Sequence, residues 1–169
     1  MSGSLVMTPI IPAKFNEAAF WEVIASAARD VSKEIRKDFE KTTKTWKTKV
    51  KFEELIEVGP KEVTIFVGTD NEIYGFVDKG TKPHPIAAKT DKGLLFRSGY
   101  TGAKTKPGVI GSVSRGPATG AWVKKMIVHH PGTEARGFSD TIQEKWSGIL
   151  PKRMQKAIGE AIRVSGHGM

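Results

Sequence analysis

The side chains here that could carry catalysis or hold a metal are histidine, serine and carboxylates, because the 169-residue chain has no cysteine. That absence removes disulfides, thiolate zinc sites and a cysteine nucleophile together. The histidines are His84, His129, His130 and His167. His129 and His130 are adjacent, so on a strand they face opposite sides and cannot both serve one ion. His84 can meet one of them in space, yet no Asp or Glu stands nearby at a ligand spacing. Asp78 and Glu134 are the carboxylates nearest the histidines, and a lone pair of that kind does not define acid–base chemistry. Ser98, Ser112 and Ser114 lack the strand–turn–helix setting of a nucleophile elbow. The glycines between residues 98 and 121 are irregularly spaced and no Gly-Lys-Ser/Thr follows them, so they form no phosphate loop. Nothing in these residues requires an enzyme, a metal or a cofactor, though a hydrolase centred on His84 and His130 stays open.

Charge is the stronger signal. Lys and Arg number 27 against 18 Asp and Glu, a net charge of +9. From Lys92 to Thr133 there is no acid, while Lys92, Arg97, Lys104, Lys106, Arg115, Lys124 and Lys125 all lie there. A second acid-free run extends from Lys41 to Lys51. Such stretches suit either a solvated loop or a surface that meets something anionic, nucleic acid or an acidic protein. Tyr100 is the only ring among the glycines and no reader motif is present, so sequence-specific recognition of nucleic acid is not expected. A basic nucleic-acid-binding module remains the alternative reading.

Two short segments are more distinctive. Tyr74–Ile86 reads YGFVDKGTKPHPI, and Val128–Phe138 reads VHHPGTEARGF. Each is expected to end a strand and turn sharply. Gly80 and Gly132 permit positive φ, while Pro83 and Pro131 fix φ and remove a ladder donor.

The elements that must position these turns follow from periodicity. Residues 1–11 are uncharged and aperiodic, which predicts an extended arm that orders by packing on a neighbour. From Pro12 to about Thr45, Phe20, Val23, Ile24, Ala27, Val31, Ile35 and Phe39 recur at steps of three and four, predicting one long helix. Pro12 or Asn16 can open it. Between Trp46 and Val77 the period falls to two, predicting strands around Val50–Phe52, Val63–Val67 and Ile73–Val77, with a hairpin turn at Gly68–Asn71. Leu94–Phe96 and Trp122–His129 add two more strands. Ser139 can cap a helix that Gly148 ends, and Pro151 can open a last helix carrying Met154, Ile158, Ala161 and Ile162. The fold class expected is α+β, with the N-terminal and C-terminal helices packed on an antiparallel sheet. A single domain over 12–169 is interrupted by a long Gly-rich basic loop at 98–121. No apolar run approaches the ~20 residues that span a bilayer, and no secretory leader is seen, so an intracellular protein without a membrane contact is expected.

The two segments in order, with the Leu94–Phe96 strand and a variable insert between them, resemble the small tail-component family of long-tailed bacteriophages. Its members are called neck, tail-completion or head–tail joining proteins. The family pattern is aromatic-Val-Glu-x-Gly-Thr-x-Pro-His, a Leu-x-Phe strand, then His-Pro-Gly-Thr-x-x-x-Pro-Phe before a last helix. Gly80, Thr81, Pro83, His84, His130, Pro131, Gly132, Thr133 and Phe138 match it. Asp78 stands where Glu is usual, and Gly137 where Pro is usual. The likeness covers roughly residues 12–163. It implies a structural virion protein at the neck or tail end, assembled in the host cytoplasm. It further implies a homo-oligomeric ring, six-fold, around the DNA channel. Its neighbours would be the connector or head-closure protein and the tail-terminator or tail-tube protein, with non-specific contact to channel DNA. Arg97, Tyr100, Lys104, Lys106 and Arg115 would then form a docking loop.

Overall fold

The computed structural model describes residues 14–59, 62–99, 105–111 and 119–167. The arm at 1–11, Pro12, and the loop residues Tyr100, Lys104 and Arg115 lie outside them.

Helix α1 spans Glu17–Thr43, and Asn16 opens it by accepting a hydrogen bond from the Ala19 N–H at 3.1 Å. An oxygen on a short side chain satisfies one of the N–H groups that a helix start leaves unpaired. At 1.5 Å per residue α1 is roughly 40 Å long. Its mate is α3, Phe138–Ile162, which runs antiparallel along it. The ends are tied by the Asn16 N–H to the Ser165 carbonyl at 3.1 Å. The other end is tied by the Trp146 indole N–H to the Asp38 carboxylate at 3.0 Å.

One helix stands where two were expected, since α3 runs through both Gly148 and Pro151. A proline inside a helix costs about 3 kcal/mol and one hydrogen bond. Packing outweighs that cost. Phe138, Ile142 and Trp146 pack before Pro151 in one apolar cluster, and Ala157 and Ala161 pack after it in a second with Ile24. Both clusters lie along the same α1, which holds the two halves of α3 in line. A π-helical turn at Arg163–His167 follows, with Gly166 at φ 95°.

Strand β1, Glu53–Val58, and strand β2, Val63–Gly68, form an antiparallel hairpin closed by the Gly59 N–H on the Glu62 carbonyl at 2.8 Å. The first strand thus begins after Phe52 rather than around it. Ile65 and Val67 turn inward onto the main core. Glu54 is held on the same inner face by Ser32 and by Arg36, whose guanidinium reaches it at 2.8 Å.

Gly68–Asn71 is not a hairpin turn. Asn71 accepts from the Tyr74 N–H at 2.9 Å and starts helix α2, Glu72–Lys79. The run Ile73, Tyr74, Phe76, Val77 fits a helix equally well: Tyr74, Val77 and Asp78 turn inward at steps of three and four, leaving Ile73 and Phe76 outside. The cap decides between the two periods. Burial raises the pKa of the Tyr74 phenol, with the Thr42 and Ser139 hydroxyls acting in the opposite sense.

The rest of the chain forms a two-stranded ribbon. Strand β3, His84–Ala87, pairs with β6, Ile127–His130. Strand β4, Leu94–Gly99, pairs with β5, Thr119–Lys125. The expected strand Trp122–His129 is broken at Met126, whose carbonyl accepts from the Ala88 N–H at 2.8 Å opposite the extra residues 88–93. Among the described residues the strands form three separate two-stranded antiparallel ladders rather than one sheet. The α1–α3 pair and β1–β2 make the body, and the ribbon strands pack chiefly on each other. The architecture is α+β.

Candidate functional site, a cross-braced junction and a basic ribbon

The two distinctive segments meet. Thr81 and Thr133 exchange backbone hydrogen bonds at 2.9 and 3.1 Å, and the Thr81 hydroxyl also accepts from the Thr133 N–H at 3.0 Å. Gly80 and Gly132 flank that bridge at φ 76° and 90°, so both adopt the positive φ expected of them. Each also makes room for the opposite segment. A Cβ on Gly132 would lie 2.2 Å from the Thr81 carbonyl oxygen, and one on Gly80 would lie 2.7 Å from that of Thr133. Glycine is needed here twice over, for conformation and for close approach.

The bridge fixes the base of the ribbon and the start of α3 at once. Asp78 sits at the end of a helix rather than of a strand, and its carboxylate accepts from the Ser139 N–H at 3.1 Å and the Ser139 hydroxyl at 2.7 Å. Its carbonyl accepts from the N–H groups of Arg136 and Gly137, both at 3.0 Å. Gly137, at φ 59°, turns the chain into α3, and Phe138 is fully buried against Tyr74, ring centroids 5.9 Å apart. Ser139 was expected to cap the helix with its own hydroxyl; the cap comes instead from Asp78, 61 residues upstream. No local spacing announces that pairing.

His84 and His130 are register partners whose rings lie 5.2 Å apart, while His129 takes the other face. His84 Nδ1 lies 2.8 Å from the Lys82 carbonyl oxygen, and His130 Nδ1 accepts from the Gly132 N–H at 3.1 Å. These contacts steady the turns at Pro83 and Pro131. Among the described residues no three His, Asp or Glu side chains converge to hold a metal. An open cleft of about 870 Å³ runs beside the junction, lined by Phe39, Phe52, Ile65, Tyr74, Ile142 and Trp146. It is mostly apolar, and the one junction carboxylate on its wall, Asp78, is already bonded to Ser139.

The basic loop is shorter than expected, because Ser98, Gly99 and Thr119–Ala121 belong to strands β4 and β5. Arg97 lies on β4 with its guanidinium 4.5 Å over the Trp122 ring, and it donates to the Gly120 carbonyl at 2.9 Å. Lys106 is exposed in a segment that returns to the junction: the Gly108 N–H meets the Arg136 carbonyl at 3.1 Å, Thr105 is buried and Ile110 packs on the main core. Residues 81–130 hold nine cations and a single acid, Asp91, so this stretch carries +8 of the chain's +9.

No helix of the described residues is long and apolar enough to cross a membrane. Comparison of the chain with protein-family profiles, curated proteins and solved structures found no match.

Proposed function

We propose that this chain is a structural subunit of a tailed-phage neck or tail-end ring, acting by self-assembly and docking rather than by catalysis. The observation that carries the reading is the bridge between Thr81 and Thr133. The two turn segments on which the phage-family resemblance rests, 52 residues apart at that bridge, form one braced junction from which the ribbon departs. A junction of that kind suits a part that must present an exposed ribbon in a fixed direction. Partners would be further copies of the chain, a connector or head-closure protein on one side and a tail-terminator or tail-tube protein on the other.

Immunogold labelling of purified particles tests the reading. Label at the head–tail junction is the expected result, and particles without the protein overturn it. The charge of the ribbon favours one other reading, a non-specific nucleic-acid-binding module. Duplex binding by the isolated chain that weakens steeply and log-linearly with salt would support that alternative.

A further inference from the structure

Two exposed faces of this molecule match each other. On the outer side of β1–β2, Leu55 and Phe66 are a directly opposed cross-strand pair, 55% and 61% exposed. Glu53 and Glu57 share that face, one on each side of Leu55. On the ribbon, Leu95 opposes Lys124 and Arg97 opposes Trp122, which places all four on one face of β4–β5. Leu95 and Trp122 are 64% and 60% exposed. Each face therefore offers two large apolar groups and two like charges, negative on the hairpin and positive on the ribbon. The surrounding charge agrees: residues 53–78 carry seven acids and one lysine, against +8 over residues 81–130.

We infer that the ribbon face Leu95, Arg97, Trp122 and Lys124 of one copy docks on the hairpin face Glu53, Leu55, Glu57 and Phe66 of the next. The occupant is a second copy of this chain, and charge complementarity selects it. Lateral burial of Leu55 with Phe66 and of Leu95 with Trp122 supplies the apolar centre, and the ion pairs supply register and orientation. Glu53 also meets Lys51 at 2.8 Å, but both side chains are open to water, and such a pair exchanges partners at little cost. Because the two faces differ, the contact is heterologous: every subunit uses both, and the series either closes into a ring or runs on as a filament. This rests on the proposed ring reading and says which surfaces build it.

Two charge-reversed variants test it: Glu53→Lys with Glu57→Lys, and Arg97→Glu with Lys124→Glu. Light scattering after size exclusion reads the assembly state of the wild type, of each variant alone and of an equal mixture, at low salt. Each variant alone should associate roughly a hundredfold or more weaker than wild type, since it presents like charge on both faces. The mixture should recover wild-type size, because both its interfaces are again opposite in sign, and that recovery shows that both variants are folded. A mixture that stays monomeric while the wild type assembles overturns the inference, as does a wild type that stays monomeric at millimolar concentration. So does loss of duplex binding by Arg97→Glu with Lys124→Glu without loss of assembly, which makes the ribbon a nucleic-acid surface. Immunogold labelling of particles is read separately, so the ring reading can survive failure of this pairing, or fail by itself.

Discussion

Asp78, one residue before the end of α2, holds both the backbone N–H and the hydroxyl of Ser139, at 3.1 and 2.7 Å, and so caps α3 from 61 residues away. A carboxylate at a helix start satisfies an unpaired N–H and complements the positive end of the helix dipole. Asp78→Ala should lower unfolding free energy by about 2 kcal/mol, read as a shift in denaturant midpoint. Asp78→Asn keeps an accepting oxygen and should lose roughly half as much. An unchanged midpoint in the alanine variant would show that the cap contributes nothing.

The Thr81–Thr133 bridge predicts intolerance of any side chain at its two glycines. At Gly132 a methyl group would meet the Thr81 carbonyl oxygen at 2.2 Å, with φ at 90°. Backbone at the close approach must shift, so Gly132→Ala should cost on the order of 1–3 kcal/mol, and Gly80→Ala a comparable amount. Gly108, also at positive φ but with nothing within 4 Å of an added Cβ, is the internal control and should lose less. Thermal melts of the three variants give the ranking, and equal losses at all three would remove the close-approach argument.

The sequence shows the pattern of this fold better than its joints. The long helix is legible because Phe20 to Phe39 keeps one face through five turns, but its start is open between Pro12 and Asn16 until the Asn16 cap on the Ala19 N–H decides it. Ile73–Val77 is ambiguous in sequence because four apolar residues in five fit either period, and the Asn71 side chain on the Tyr74 N–H favours the helix that forms. Pro151 misled for a different reason. Local propensity breaks a helix there, whereas Trp146 and Ala157, on either side, both need α1. At the junction, Gly80 and Gly132 could be recognised as positive-φ turns, but nothing within either segment says that they close on each other. Phe66 alternates with Ile65 and Val67 and opposes Leu55, so both face away from the core, and because the ladders are only two-stranded nothing among the described residues covers them or Trp122.

Asp38 gives the molecule an acid-sensitive tie. Its side chain is 3% exposed and accepts from Lys145, Lys41 and the Trp146 indole. Burial works to raise its pKa, but the three hydrogen bonds together outweigh it and hold the group below its ordinary 3.8. The unfolded chain therefore takes up the proton first as pH falls. The stabilisation is full above the unfolded value and is lost as pH drops through the folded one. Asp38→Asn should be less stable than wild type near pH 7, and the difference should shrink only as pH falls below the ordinary 3.8 towards the lowered folded value. Parallel curves across that range would place the acid sensitivity elsewhere.

The described part of the Gly-rich insert both belongs to the body and leaves it. Ile110 packs on the main core and the Gly108 N–H binds the Arg136 carbonyl beside Asp78, so residues 105–111 brace the same junction as the two turns. Replacing residues 100–118 by a short turn should leave β4–β5 paired from Leu94–Lys125 to Gly99–Thr119, because those pairs lie outside the cut. It should cost about 1–2 kcal/mol through the half-buried Ile110 and its neighbours. Ile110→Ser in the full chain should cost a similar amount, which separates stability from docking. If the insert joins one ring to the next, the point variant supports infectious particles and the deletion does not, at matched stability. Particles from both would show that the insert serves only to hold Arg136 and the junction in place.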